Sequence, residues 1–204
     1  MPSMQKILVD ANVLFSRTQR DWLLLLKQEA GPGMFSLCVT EDILAELEYR
    51  LRRKFPKADG AVIKSVREKI ELTVDEVLAD FVGDVPNPTS DPDDSHVNAA
   101  AISADVNILL TADSGFTALS DEIKESLPYE IMEPDDFFSL IDDSAPQFVK
   151  GVTLKQLAYW DSLNEDLGAK KYASLEAALV ASNCKKFASK VKIHTMRLAG
   201  VPNI

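Results

Sequence analysis

Cysteine and histidine are nearly absent: the 204 residues hold two of each, Cys38, Cys184, His96 and His194, with no CxxC spacing and the histidines far apart. That excludes a disulfide scaffold and leaves almost no material for a structural zinc site, so both cysteines are expected to be buried thiols. Long apolar runs are also missing. The longest, at 22–26, has five residues, where a membrane span needs about 20. The N-terminal segment lacks the apolar stretch of a secretory signal. The expected location is therefore cytoplasmic, with no membrane partner. There is no glycine-rich phosphate loop and no GxSxG elbow, which argues against a nucleotide-cofactor enzyme and a serine hydrolase. What remains, 46% hydrophobic and 26% charged with 8 Gly and 10 Pro, is the composition of a globular chain with a sizeable core.

The net charge of −10 hides a division. Residues 145–204 carry nine Lys and Arg against four acids, a balance of +5, which leaves −15 for residues 1–144. An acidic body and a basic appendage are expected, the latter able to meet a polyanion or to dock on the body itself. Residues 50–69 are a second basic stretch, with eight bases against Asp59 and Glu68.

Ile7, Leu8 and Val9 form a short, wholly apolar run, and 35–39, 107–111 and 129–132 have similar strand character. Continuous rather than alternating hydrophobicity predicts strands covered on both faces. Helical stretches are predicted at 18–29, 41–54, 59–81, 93–104 and 134–141, with a loop at 84–94. Strand and helix alternate, so the predicted fold class is α/β with a mainly parallel sheet. From 145 onward strand-like runs nearly vanish, while Leu154, Leu157 and Ala158, then Leu175, Ala178 and Leu179, recur at helical spacing. Two units are thus expected: a body at 1–144 and a small helical extension at 145–204. Trp22 and Trp160 are read as core, and His96 as an ordinary surface histidine.

In an open parallel sheet, ligands bind beyond the carboxyl ends of the strands, at a switch in strand order. Asp10 closes the first strand and Asp113 follows the run ending at Thr111, so two strands deliver carboxylates to one rim. Glu46 borders the apolar stripe Ile43, Leu44, Leu47 and Leu51 of its helix, while Glu48 points further toward water. Asp94 shares the i, i+3, i+7 face of Val97 and Ala101. Capping explains acids here too: Asp91 is a natural N-cap before Pro92, and Asp93 and Asp94 complement the helix dipole. Capping does not explain why one of them faces inward. Several carboxylates at one sheet edge repel one another unless a cation compensates them. Mg²⁺ or Mn²⁺ favours oxygen ligands and bridges to phosphate, which points to metal-assisted phosphodiester hydrolysis.

The segment Ile7 to Asn12, the acidic helix around Glu46, Asp94 before an alanine-rich helix, and Leu110 to Asp113 resemble the successive motifs of PIN-domain nucleases over about residues 5–140. The resemblance implies a three-layer α/β/α fold, Asp10, Glu46, Asp94 and Asp113 as the acidic quartet, and Asn12 and Thr111 as supporting polar residues. Asp91 is the second choice for the position given to Asp94. Asp10, Asp94 and Asp113 would hold one or two Mg²⁺ or Mn²⁺ ions, with Glu46 binding directly or through water. Within the family the chain resembles VapC-type toxins, which implies an endoribonuclease with an RNA substrate and a cognate antitoxin protein. A homodimer is compatible with this reading. The basic tail departs from the minimal toxin pattern. Arg50, Arg53 and Lys54, together with Lys185, Lys186, Lys190 and Lys192, would hold the phosphate backbone. The alternative is a non-catalytic module of the same fold whose basic tail binds a partner protein, RNA or its own acidic body.

Overall fold

The computed structural model describes residues 4–167 and 174–200. Five strands, β1 (Gln5–Val9), β2 (Phe35–Thr40), β3 (Glu76–Leu78), β4 (Ile108–Leu110) and β5 (Glu130–Met132), form one sheet in the order β3-β2-β1-β4-β5. Every neighbouring pair is parallel. Parallel neighbours need long crossovers, and helices fill them: α1 (Ala11–Phe15) and α2 (Arg17–Ala30) before β2, α3 (Glu41–Lys54) and α4 (Gly60–Glu71) before β3, α5 (Ser95–Ser103) before β4, and α6 (Ser114–Thr117) and α7 (Asp121–Ser126) before β5. Then come α8 (Pro134–Ser144), α9 (Pro146–Leu167), α10 (Leu175–Ala181) and α11 (Lys185–Leu198). Ile7, Leu8 and Val9 of β1 and Leu37, Cys38 and Val39 of β2 are fully buried. Strands without a wet face require cover on both sides, and the fold is a three-layer α/β/α sandwich with an all-parallel centre.

Local chemistry sets the elements that matter for function. Helix α3 starts where the Thr40 hydroxyl accepts the Ile43 N–H at 3.0 Å. Glu41 and Asp42 occupy its first turn and Arg52, Arg53 and Lys54 its last, charges that complement the helix dipole at both ends. Its bounds are those the sequence predicts. The single helix expected over 59–81 is corrected: α4 ends at Glu71, and β3 is an edge strand hidden inside that span. Three residues are too few to show a strand period, and pairing decides the matter. The Asp75 carboxylate accepts the Leu37 N–H at 2.8 Å, and its charge is met by the buried Lys27, whose Nζ lies 2.7 Å away and also donates to the Phe35 carbonyl.

The segment after Ser144 does not hang free. One hydrophobic cluster runs from β1 and β2 through Phe137 and Phe138 of α8 to Val149, Val152, Leu175, Leu179, Phe187 and Val191. Rings carry the junction: Phe35 meets Phe137 edge-on at 5.5 Å between centroids, Phe138 meets Phe187 at 5.2 Å, and Phe187 meets Trp22 edge-on at 4.9 Å. Two sequence expectations change here. On α9 the buried stripe is Val149, Val152, Thr153 and Gln156, while Leu154 and Ala158 face water, because packing against α2, α8 and α11 selects a different face from the leucine spacing. Trp160 is half-buried at the cluster's edge, not within it. Leu175, Ala178 and Leu179 are buried as expected. Burial pushes the thiols of Cys38 and Cys184 up to about 12, so neither is a reactive thiolate at neutral pH.

The basic tail meets acids of the body. On α11, Lys186 pairs with Asp136 and Lys190 with Asp143 and Asp142, all of α8. His194 Nε2 is 2.6 Å from Asp142 Oδ1, and the Asp135 carboxylate accepts the backbone N–H of Lys186 and Phe187 at the helix start. Lys185 and Lys192 are exposed; Lys170 and Lys171 lie outside the described residues. Phe187→Ala is expected to cost about 3–5 kcal/mol, because a fully buried ring in contact with Trp22 and Phe138 leaves a cavity. Urea denaturation checks it, and a loss below about 1 kcal/mol would mean that α11 docks by charge alone.

Candidate active site

Strand order locates the site before any side chain is considered. The chain moves from β1 outward to β2 and β3, then returns to place β4 on the other side of β1. The carboxyl ends of β1 and β4 therefore flank the point where the connections diverge, leaving a crevice. Val9 is in register with Leu110, and the Asp10 N–H donates to the Leu110 carbonyl at 3.0 Å. Asp10 and Thr111 consequently leave the sheet side by side.

A short polar network fixes them. The Thr111 hydroxyl and Asn12 Nδ2 both donate to Asp10 Oδ2 at 2.6 Å. Asn12 Nδ2 also lies 3.0 Å from Thr111 Oγ1, and Asn12 Oδ1 accepts the Ala112 N–H at 3.0 Å. Thr111 Oγ1 in turn accepts the Asp113 N–H at 3.0 Å. Asn12 and Thr111 thus lock the two strand ends together and aim one Asp10 carboxylate that is only 6% exposed.

Asp94 and Asp113 meet around a glycine. The Asp113 carboxylate caps α6 by accepting the Gly115 N–H at 2.7 Å. A Cβ on Gly115 would stand 2.5 Å from Asp94 Oδ2 and 2.9 Å from Asp113 Oδ1, so only glycine lets both carboxylates approach this point. Asp94 closes a 3-10 turn at Pro92–Asp94, just before α5. Its Oδ2 is buried with no hydrogen-bond partner. Asp91, by contrast, caps that turn by accepting the Asp93 N–H at 2.9 Å and is exposed. The arm carrying Asp94 is tied down from behind: buried Asn98 donates to the Pro86 carbonyl at 2.9 Å and accepts from the Tyr129 hydroxyl at 2.6 Å.

Asp10, Asn12, Glu46, Asp91, Asp94 and Asp113 line one pocket of about 710 Å³. Arg50 and Arg53 line it as well, and Arg50 Nη2 is 2.5 Å from Glu46 Oε1. Glu48 pairs with Arg67 at 3.8 Å instead. Lys54 turns to aromatic rings, 4.6 Å from the Phe15 centroid. Lys185, Lys186, Lys190 and Lys192 belong to α11 and do not line the pocket. His96, read as a surface histidine, is corrected: it lines the pocket, half-buried, with Nε2 3.9 Å from Glu46 Oε2. Helical phase alone places it off the Asp94 face, but the pocket is wider than one helix face. Tyr49, Phe81 and Gly115 were not singled out by sequence; the signal for Tyr49 was its i+3 offset from Glu46.

Burial raises the Asp10 carboxyl, with Glu46 and Asp113 adding to it against the opposing Thr111 hydrogen bond. Burial raises Asp94 too, helped by Asp113, Asp91 and Asp10 and opposed by Thr89. Among the described residues no three His, Cys, Asp or Glu side chains converge as a ready-made metal clasp. The donor chemistry nevertheless fits a hard divalent cation: carboxylate oxygens of Asp10, Asp94 and Asp113, one of them buried and without a partner, around a cradle that a Cβ would fill.

Raised carboxyls carry a sign. Ionised Asp10 and Asp94 each destabilise the metal-free fold; the deficit begins as pH rises past the unfolded value of about 4 and is complete above the raised folded value. In EDTA the melting temperature is expected to climb as pH falls back through that interval. Asp10→Asn should melt above wild type at pH 7 and depend less on pH. A lower melting temperature for the variant in EDTA would mean that the Asp10 charge is compensated within the protein.

None of the curated proteins matches this chain. The family model described as PIN domain matches residues 6–115, a span that holds Asp10, Glu46, Asp94 and Asp113, both polar residues locking β1 to β4, and Gly115. The order of strands, the acids at the switch point and that match, covering more than half of the chain, together make this protein a member of the PIN-domain family, whose members are generally nucleases.

Proposed function

We propose that the chain is a metal-dependent endoribonuclease that hydrolyses RNA phosphodiester bonds, acting as the toxin of a toxin-antitoxin pair. One observation carries the catalytic half: Asp10, Glu46, Asp94 and Asp113, drawn from four separate segments, line a single pocket, and a buried Asp94 oxygen there has no partner. Asp10, Asp94 and Asp113 would hold Mg²⁺ or Mn²⁺, and Glu46 would complete the set directly or through water. When bound, such an ion neutralises the carboxylates, activates water as a nucleophile and stabilises charge developing on the phosphate.

The chain's own residues supply positioning. Asn12 and Thr111 hold the Asp10 carboxylate in one orientation, and Gly115 leaves room for Asp94 beside Asp113. Arg50 and Arg53 add positive charge to the rim of an otherwise acidic pocket, where a phosphate backbone would be repelled without them. On α11, Lys185 and Lys192 are the exposed cations of this reading, while α8 engages Lys186 and Lys190. An acidic pocket of this kind also suits an antitoxin that inserts an Arg or Lys, since a guanidinium pairs with carboxylates bidentately.

Mg²⁺ or Mn²⁺ is expected to raise the melting temperature of the purified protein and EDTA to reverse the gain, since binding to the folded state alone must stabilise it. Asp10→Asn should lose both that response and all cleavage of a labelled RNA while remaining folded by circular dichroism. Wild-type cleavage by the variant would defeat the metal-site assignment. Growth arrest on expressing the chain, relieved by co-expressing its genomic neighbour, tests the toxin role separately; harmless expression of active enzyme would remove that role and leave the nuclease.

A further inference from the structure

One face of α3 is unlike the rest of the helix. Glu46, Tyr49, Arg50 and Arg53 stand at i, i+3, i+4 and i+7, and all four line the pocket. Over this stripe the charge changes from acidic at Glu46 to basic at Arg53, about 10 Å along the axis at 1.5 Å per residue. Between the two ends stands a tyrosine that the core does not use: Tyr49 is 62% exposed. The Arg53 guanidinium lies 5.7 Å from the centroid of its ring, close enough for a cation–π contact that holds the ring in place. The pocket wall also includes Phe81, half-buried and packed against the core. The open pocket, of about 710 Å³, has more room than a cation and one phosphate need.

An exposed aromatic ring among arginines, beside an acidic metal-type site, matches the way proteins grip nucleic-acid strands: cations follow the backbone and bases stack on rings. We propose that Tyr49 is a positioning residue of the active site, a platform on which one nucleobase of the substrate stacks, with Arg53 steadying the ring and drawing in the adjoining phosphate. The assignment rests on the nuclease reading. It adds to that reading a contact with a base, where the acids and arginines of the pocket address metal and phosphate. The ring, not the hydroxyl, does the work, because any base offers a π-face.

The test uses the full chain carrying Asp10→Asn, so that RNA is bound without being cut, and measures fluorescence anisotropy with two probes: oligouridylate and an abasic ribose-phosphate oligomer of equal length. The base-bearing probe should bind more tightly by roughly 5- to 150-fold, the range for one stacked base. Adding Tyr49→Ala should erase that difference while leaving the abasic probe's affinity unchanged. Tyr49→Phe should restore it. Arg53→Ala should flatten the salt dependence for both probes by up to about 0.7 in log K per log salt. A Tyr49→Ala protein that still prefers the base-bearing probe to the full extent overturns the platform, as does a Tyr49→Phe protein that fails to recover it. In the Asp10-containing background, RNA cleavage by wild type alongside either result shows that the platform alone has failed; absence of cleavage and of any RNA binding sinks the nuclease reading and the platform with it.

Discussion

The pairing of β1 with β4 is the contact on which the rest of this molecule depends. These strands are distant in sequence, and nothing local prefers one register over another. With Val9 beside Leu110, the acids that follow each strand emerge at one crevice; a slip of one residue would turn Asp10 toward the opposite face of the sheet. Burial on both faces makes such a slip costly, since Ile7, Leu8, Val9, Leu109 and Leu110 are all fully buried. The Asn12 and Thr111 side chains then stitch the strand ends with hydrogen bonds that a shifted register could not form. Core packing and site geometry are in this respect one constraint.

A second balance is electrostatic. The pocket concentrates carboxylates, and burial helped by neighbouring acids pushes two of them, Asp10 and Asp94, toward the neutral form, a cost the fold carries in bringing these acids together. Arginines answer part of that charge from one side only, through Arg50 on Glu46. The resulting pocket is polar in the directional sense, acidic at the strand ends and basic along α3. The proposed nuclease function would use that gradient to bring substrate phosphates toward carboxylates along the stripe from Glu46 to Arg53.

The segment after Ser144 shows how composition can be read correctly and still leave two outcomes open. Its positive balance permits either a polyanion or the chain's own acids as partner. Alternation of Phe35, Phe137, Phe138 and Phe187 in one aromatic chain favours docking, and once α11 lies on α8, Lys186 and Lys190 fall opposite Asp136 and Asp143. Apolar burial sets the contact; the ion pairs, exposed to water, follow from it and add little energy.

By itself the sequence determined the α/β class and most strand and helix positions, and its resemblance to a known family pointed to four acids and two polar helpers. The elements are written in short-range patterns: apolar runs, 3.6-residue spacing at Ile43, Leu44, Leu47 and Leu51, and a cap at Asp91. Tertiary structure alone decided what depends on neighbours from elsewhere in the chain. Strand β3 exists because β2 pairs with it, the buried face of α9 is the one that α2 and α8 leave room for, and His96 and Tyr49 reach the pocket because α3 and α5 converge there. Gly115 is the sharpest case: as a letter it is one glycine among eight, and only the approach of Asp94 and Asp113 shows that a single added carbon would collide with two carboxylates.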